Sequence, residues 1–265
     1  MTINDIACYV LDMDGTIYLG EQVIPGARDL LSFFDDQGIQ YCFFTNNSSK
    51  SPEDYKLKLK RLGLSEQPSV ITSGDVTADY ILKTFGPNPH VYVVGTPALI
   101  AHLTAAGIHC DNTKSPDCVV VGFDTTYDFT KATRAVDLLR DGVPFIATNV
   151  DAVCPLEGGK VLPDCASICA MLTYATGRQP KFIGKPYAET AEYIERAVNL
   201  PADKIAVIGD RLYTDIQLAL ENGMCAIGVL SGEMTQEDID KSEKKPHYLF
   251  QSVADLYRLL KEQVK

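Results

Sequence analysis

Short apolar runs alternate with amphipathic stretches from one end of the chain to the other. The runs at 6–11, 39–44, 70–72, 90–94, 118–122, 144–147, 181–183, 205–208, 225–229 and 248–250 are too short for helix cores and read as buried strands. Between them, apolar residues recur three and four apart. This spacing predicts helices over 27–37, 52–61, 75–85, 98–106, 129–139, 164–176, 189–199, 215–221, 236–241 and 253–262. Leu30, Leu31, Phe33 and Phe34 share one side of the first of these. Pro25 and Ser51-Pro52 suit helix starts, and Gly38 suits a stop. Residues 17–24 read as a short hairpin-like flap, and 154–163, with Gly158-Gly159, as a long loop. Strand–helix alternation throughout predicts a parallel, doubly wound α/β sheet.

Polar residues gather where these strands stop. The run 6–11 ends in Asp12-Met13-Asp14-Gly15-Thr16. A strand interior excludes unpaired carboxylates, so Asp12 and Asp14 belong at the carboxyl end of the strand, where open α/β sheets hold ligands. Two residues apart on an extended segment, they face one side, and like charges that close call for a cation or a shared proton. Three further runs end in the same manner: in Thr45-Asn46-Asn47-Ser48-Ser49, in Gly184-Lys185-Pro186, and in Gly209-Asp210-Arg211 with Asp215 just beyond. Strand ends on one edge of a parallel sheet converge, which assembles carboxylates, hydroxyl and amide donors, and one ammonium. Oxygen-only ligation favours magnesium over zinc or copper. Magnesium, a lysine and neutral donors together receive a transferring phosphoryl group. In that chemistry Asp12 is the nucleophile, and Asp14 protonates the leaving oxygen and then deprotonates water. Taken alone, Thr45-Asn46-Asn47 also suits a helix cap, and Asp215 a charge at a helix N-terminus.

Composition narrows the class. With 265 residues, 46% hydrophobic and 22% charged, the chain is ordinary for a globular protein of one large or two modest domains. A net charge of −11 argues against a nucleic-acid surface, which needs a basic stripe. No apolar run reaches membrane-spanning length, and the first residues lack a signal-peptide pattern, so a cytoplasmic protein without a membrane partner is expected. Cys8, Cys42, Cys110, Cys118, Cys154, Cys165, Cys169 and Cys225 form no CxxC and are expected as reduced, mostly buried thiols. Cys165 and Cys169 share a helix face without a matching cluster. His90, His102, His109 and His247 lack metal-ligand spacing and are expected to be structural or exposed.

Asp12-Met13-Asp14-Gly15-Thr16, Phe44-Thr45-Asn46, Gly184-Lys185-Pro186 and the segment from Gly209-Asp210-Arg211 to Asp215 resemble, in this order, the four motifs of the haloacid dehalogenase superfamily. The long insert between the second and third motifs resembles the C2-capped branch. Thr45-Asn46-Asn47-Ser48-Ser49 and Ala147-Thr148-Asn149, with Asp151, resemble NagD-like phosphatases. The similarity spans essentially the whole chain. It implies a Rossmann-like core over 1–79 and 180–265, with an inserted smaller α/β cap domain over 80–179.

It also implies roles. Asp12 is the nucleophile and a magnesium ligand. Asp14 is the acid/base, meets the phosphate, and binds the metal through its backbone carbonyl. Thr45, Asn46 and Lys185 hold the phosphoryl group, Asp210 ligates magnesium, and Asp215 orients the metal-binding groups. Asn47 and Ser48 stand where some relatives carry bulkier residues, which bears on leaving-group contacts. In the cap, Asp124, Asn149, Asp151 and the segment 154–164 are the candidates for leaving-group selection, from their positions at strand ends.

The implied activity is hydrolysis of small phosphorylated metabolites (sugar phosphates, nucleoside monophosphates, artificial aryl esters) through an aspartyl-phosphate. Pairing of two copies through the cap is a further implication, by analogy alone. Alternatives are a phosphotransferase or phosphomutase of the same superfamily, and a metabolite-binding protein without turnover. A dehalogenase has no need of Asp14, and a receiver-type signalling domain needs no inserted domain.

Overall fold

Parallel pairing of the apolar runs builds two separate sheets in the computed structural model, which describes residues 2–111 and 115–263. Each sheet anchors one compact unit. The first unit comprises Met1–Thr45, Glu53–Ile71 and Lys185–Lys265, and the second Asn46–Pro52 and Thr72–Gly184.

The larger sheet has six strands, in the spatial order Tyr248–Phe250, Cys225–Val229, Ile205–Gly209, Cys8–Leu11, Gln40–Thr45 and Val70–Thr72. Every residue of Cys8–Leu11 and Ile205–Gly209 is buried. Helices cover both faces of such a sheet, so its central strands read as unbroken apolar runs rather than alternating ones. From Cys8–Leu11 the chain winds outward through Gln40–Thr45 on one side, and later returns to build the other side from Ile205–Gly209. The strand order therefore reverses between Cys8–Leu11 and Ile205–Gly209, the place where doubly wound sheets hold ligands. The core of this unit includes Leu11, Phe34, Phe43, Ile208, Ile227 and Leu256. The ring of Tyr9 stacks on Phe34 of the helix Ala27–Gln37, with centroids 4.7 Å apart.

The second unit carries a four-stranded parallel sheet in the order Lys181–Phe182, Phe145–Ala147, Cys118–Val121, Val91–Val94. The helices Phe129–Arg140 and Cys165–Thr176 pack on it through Leu139, Cys169 and Leu172. Local capping sets the helix starts. Thr72 and Asp75 form a reciprocal capping box on Ser73–Phe85, and Asp128 accepts from the Lys131 N–H at the head of Phe129–Arg140.

Two segments depart from the sequence reading. Residues 154–163 are not a plain loop. Val153–Pro155 pairs antiparallel with Val161–Pro163, around a short helical turn at Glu157–Gly159. Both strands are mostly exposed, so they lack the apolar alternation that betrays a strand, and their prolines and glycines read as loop. The helix expected over 215–221 begins earlier, as a wide five-residue turn of π type, Leu212–Ile216, before the α-helix Gln217–Glu221. The flap is a hairpin of Tyr18–Leu19 with Gln22–Val23.

All eight cysteines are free thiols. His90 stacks on His109 with ring centroids 4.6 Å apart, and His247 accepts from the Ala226 N–H. Among the described residues no helix is long and apolar enough to cross a membrane.

Candidate active site

Strand register brings the acidic residues together. Leu11 lies opposite Ile208, so Asp12 and Gly209-Asp210 leave the sheet side by side at its reversal point. The Asp12 N–H still continues the ladder, donating to the Ile208 carbonyl at 2.8 Å. The wide turn Leu212–Ile216 then swings Asp215 back toward its own start, where Oδ2 accepts from the Arg211 N–H at 3.2 Å. As a result, one carboxylate oxygen from each of Asp12, Asp210 and Asp215 falls within 4.8 Å of the others. Lys185 Nζ donates to Asp12 Oδ1 and to Asp215 Oδ1, both at 2.6 Å. Its ammonium also lies 5.2 Å from the centre of the Phe44 ring. Asp210, Asp215 and Lys185 are at most 2% exposed.

Three carboxylates thus face one ammonium in a dry setting. Burial, then the charges of Asp215 and Asp210, push the Asp12 carboxyl well above its usual range, against the pull of Lys185. Asp210 is pushed up to about 7, first by burial and then by Asp215, although the Glu233 N–H, Arg211 and Lys185 pull the other way. Burial pulls the Lys185 ammonium down, but Asp12 and Asp215 outweigh it and hold the proton on. Asp210 Oδ2 accepts from the Glu233 N–H at 2.7 Å, whereas the buried Oδ1 has no hydrogen-bond partner among the described residues. A buried carboxylate oxygen without a donor is costly unless a cation meets it. With oxygen donors alone, Asp12 and Asp210 fit a hard divalent cation.

Asp14 is exposed, and its carboxylate is not among the three that cluster. The turn that carries it is tied down by the Met13 carbonyl, which accepts from the Ile17 N–H at 2.9 Å, and by the Gly15 N–H donating to the Tyr18 carbonyl at 2.8 Å. Gly15 takes φ +86°, and a Cβ there would meet Asp210 Oδ2 at 2.2 Å, so both its conformation and its neighbour require glycine. Thr45, 5% exposed, ends the strand Gln40–Thr45 of the same unit.

The remaining sequence-predicted residues lie in the second unit. There Asp151 Oδ2 accepts from Asn46 Nδ2 at 2.8 Å and from Asn149 Nδ2 at 2.9 Å. Asn149 Nδ2 also donates to Asp164 Oδ1, and its Oδ1 accepts from Thr148 Oγ1 at 2.8 Å. Asp124 pairs with Lys131 Nζ at 2.7 Å. Asp124, Asn149 and Asp151 are all buried among these partners. Sequence reasoning missed Ser231, Gly232 and Glu233, which meet Asp210 and Gly15. The signal was present: the buried run 225–229 also ends in small polar residues, like the runs that flagged the other motifs.

Comparison with known proteins places this geometry. Residues 9–109 match the family of haloacid dehalogenase-like hydrolases, and residues 182–256 a HAD-hydrolase-like family. An acid sugar phosphatase from Staphylococcus aureus is 35% identical over 246 residues, covering 92% of this chain and 94% of its own. A 4-nitrophenylphosphatase from Thermotoga maritima has the same fold with a TM-score of 0.91 at 38% identity, covering 96% of this chain and 97% of that one. A glycerol phosphate phosphatase from Mycobacterium tuberculosis, solved in complex with magnesium, gives a TM-score of 0.86 at 31% identity, covering 97% of this chain and 78% of that one. Matched nearly end to end by relatives of one kind, the chain belongs to the haloacid dehalogenase superfamily of hydrolases, in its C2-capped, NagD-like phosphatase branch.

Proposed function

We propose that this protein is a magnesium-dependent phosphatase that hydrolyses phosphomonoesters of small metabolites, sugar and polyol phosphates foremost, through a phosphorylated Asp12. The observation that carries the reading is the pairing of a buried ammonium, Lys185, with a carboxylate at a strand end beside a second carboxylate whose Oδ1 lacks a partner among the described residues. Among relatives, an acid sugar phosphatase and a glycerol phosphate phosphatase support this choice of esters, and the latter, solved with magnesium and also with calcium, supports a divalent metal.

In this reading the free oxygen of Asp12 attacks phosphorus while the bond to the leaving oxygen breaks. Asp14 gives that oxygen a proton, so the alcohol departs neutral. Asp14 then takes a proton from water, which attacks phosphorus, releases inorganic phosphate and restores the Asp12 carboxylate. Lys185 holds Asp12 Oδ1 at 2.6 Å, which leaves the other oxygen as nucleophile and supplies positive charge where the phosphoryl group arrives. Thr45 and Asn46 donate to the phosphoryl oxygens. Asp12, the Asp14 carbonyl and Asp210 would hold a magnesium ion, which would supply positive charge against the phosphoryl oxygens. The second unit acts as the cap and selects the leaving group.

The test is phosphate release from a panel of sugar, glycerol, nucleoside and aryl phosphates, with magnesium and with chelator. Magnesium-dependent release that favours sugar or glycerol phosphates is the expected outcome. A folded protein that releases no phosphate from any ester overturns the reading.

A further inference from the structure

The loop that follows Cys225–Val229 closes on Asp210 and lies outside the four motifs. Its contacts are specific. The Glu233 N–H donates to Asp210 Oδ2 at 2.7 Å, and the Met234 N–H donates to the Asp210 carbonyl at 2.8 Å. Ser231 Oγ donates to the Gly15 carbonyl at 2.7 Å, which ties the loop to the acidic turn. A Cβ at Gly232 would lie 1.9 Å from Asp210 Oδ2. Oδ2 is therefore donated to by one backbone N–H and walled by two glycines, Gly15 and Gly232. Oδ1 is the oxygen left without a partner among the described residues. Glu233 also pairs with Arg211 Nε at 2.8 Å, but the Glu233 side chain is 44% exposed, and such a pair contributes little.

We infer that this loop sets cation selectivity by restricting Asp210 to ligation through a single oxygen. The inference rests on the magnesium reading given above. Magnesium demands a small octahedral shell and takes one oxygen from each carboxylate, whereas calcium takes six to eight ligands and readily uses both oxygens of one carboxylate. A carboxylate whose second oxygen is already hydrogen-bonded and sterically enclosed serves the first cation and denies the second a ligand. Gly232 and the Glu233 N–H are thus positioning groups that act through Asp210, and Ser231 holds them to the turn that bears Asp14.

Calorimetric titration with Mg²⁺ and with Ca²⁺, without substrate, reads this directly. Glu233→Pro removes the N–H along with the side chain, whereas Glu233→Ala removes the side chain and keeps the N–H. The magnesium-to-calcium affinity ratio is expected to fall about 10-fold in Glu233→Pro, the factor carried by a charge-assisted hydrogen bond, and to stay within about twofold of wild type in Glu233→Ala. An unchanged ratio in a folded Glu233→Pro, with wild-type protein binding magnesium, overturns the inference and leaves the phosphatase reading intact. If Glu233→Pro does not fold, Gly232→Ala carries the test. Its methyl needs the room Oδ2 occupies, so the Asp210 carboxylate is displaced and the magnesium-to-calcium affinity ratio falls about 10-fold, whereas an unchanged ratio overturns the inference. Wild-type protein that binds neither cation removes the metal reading and the inference together.

Discussion

In the second unit, buried acids have donors aimed at them: Asp124 meets Lys131, Asp151 meets Asn46 and Asn149, and Asp164 meets Asn149 and the Cys165 N–H. In the first unit, Asp12, Asp210 and Asp215 crowd within 4.8 Å around Lys185, and Asp210 keeps a buried oxygen with no partner among the described residues. The two arrangements bury the same chemical group to different ends. Paired acids fix a fold, while crowded ones cost stability and are retained where a cation or a transferring group completes them.

Asp12→Asn breaks the crowded side most severely. Turnover of the best ester should fall by more than about 10⁴-fold, with an unchanged circular dichroism spectrum, because an amide is no nucleophile. Near wild-type phosphate release would remove Asp12 from the mechanism. On the paired side, Asp124→Ala strands the Lys131 ammonium with only carbonyl and hydroxyl acceptors, at Gly95 and Thr126. Urea unfolding should show a loss of about 2–3 kcal/mol, independent of magnesium; a change below about 0.5 kcal/mol would mean the pair is no structural anchor.

Asp210→Asn tests the contrast in the opposite direction. A carboxyl raised from 3.8 to about 7 favours the protonated folded state, so its ionisation draws stability down as pH rises through that window. In chelator at pH 7.5, the variant should therefore be more stable than wild type by roughly 1–2 kcal/mol, with the advantage gone near pH 4. Saturating magnesium should reverse the order, and a variant less stable than wild type in chelator would contradict the crowding.

Asp75 gives the smallest effect and the opposite slope. Burial pushes its carboxyl up, but His102 and the Thr72 N–H and hydroxyl hold it below the usual 3.8. The stability it contributes is present above that value and disappears as pH falls through the depressed one. Asp75→Asn should cost about 1 kcal/mol at pH 7 and progressively less as pH falls below the usual carboxylate range, measured by urea unfolding along that pH series.

Strand ends were legible because burial and charge exclude each other. An apolar run that halts at Asp12, Thr45, Lys185 or Asp210 announces both the edge of a sheet and the start of its chemistry. Helices with a clear apolar side were legible too, and Ala27–Gln37 has the boundaries its spacing predicts. The hairpin at 153–163 was hidden because neither of its strands faces a core. Asp124, Asn149 and Asp151 drew attention as polar residues at strand ends, but position alone does not reveal that Lys131, Asn46 and Asp164 already engage them. The loop at Ser231–Glu233 acts largely through backbone groups and through the absence of a side chain at Gly232. Residue chemistry advertises neither.

The wide turn Leu212–Ile216 has a consequence for how this segment tolerates change. Its extra residue is what rotates Asp215 back to the Arg211 N–H and Lys185. Deleting one residue between Arg211 and Asp215 would restore ordinary helical winding and turn Asp215 by about 100°. Its carboxylate would then leave the lysine it shares with Asp12. Single substitutions at the exposed Tyr213 leave that winding intact, so this position is free to vary in letter while the stretch is locked in length.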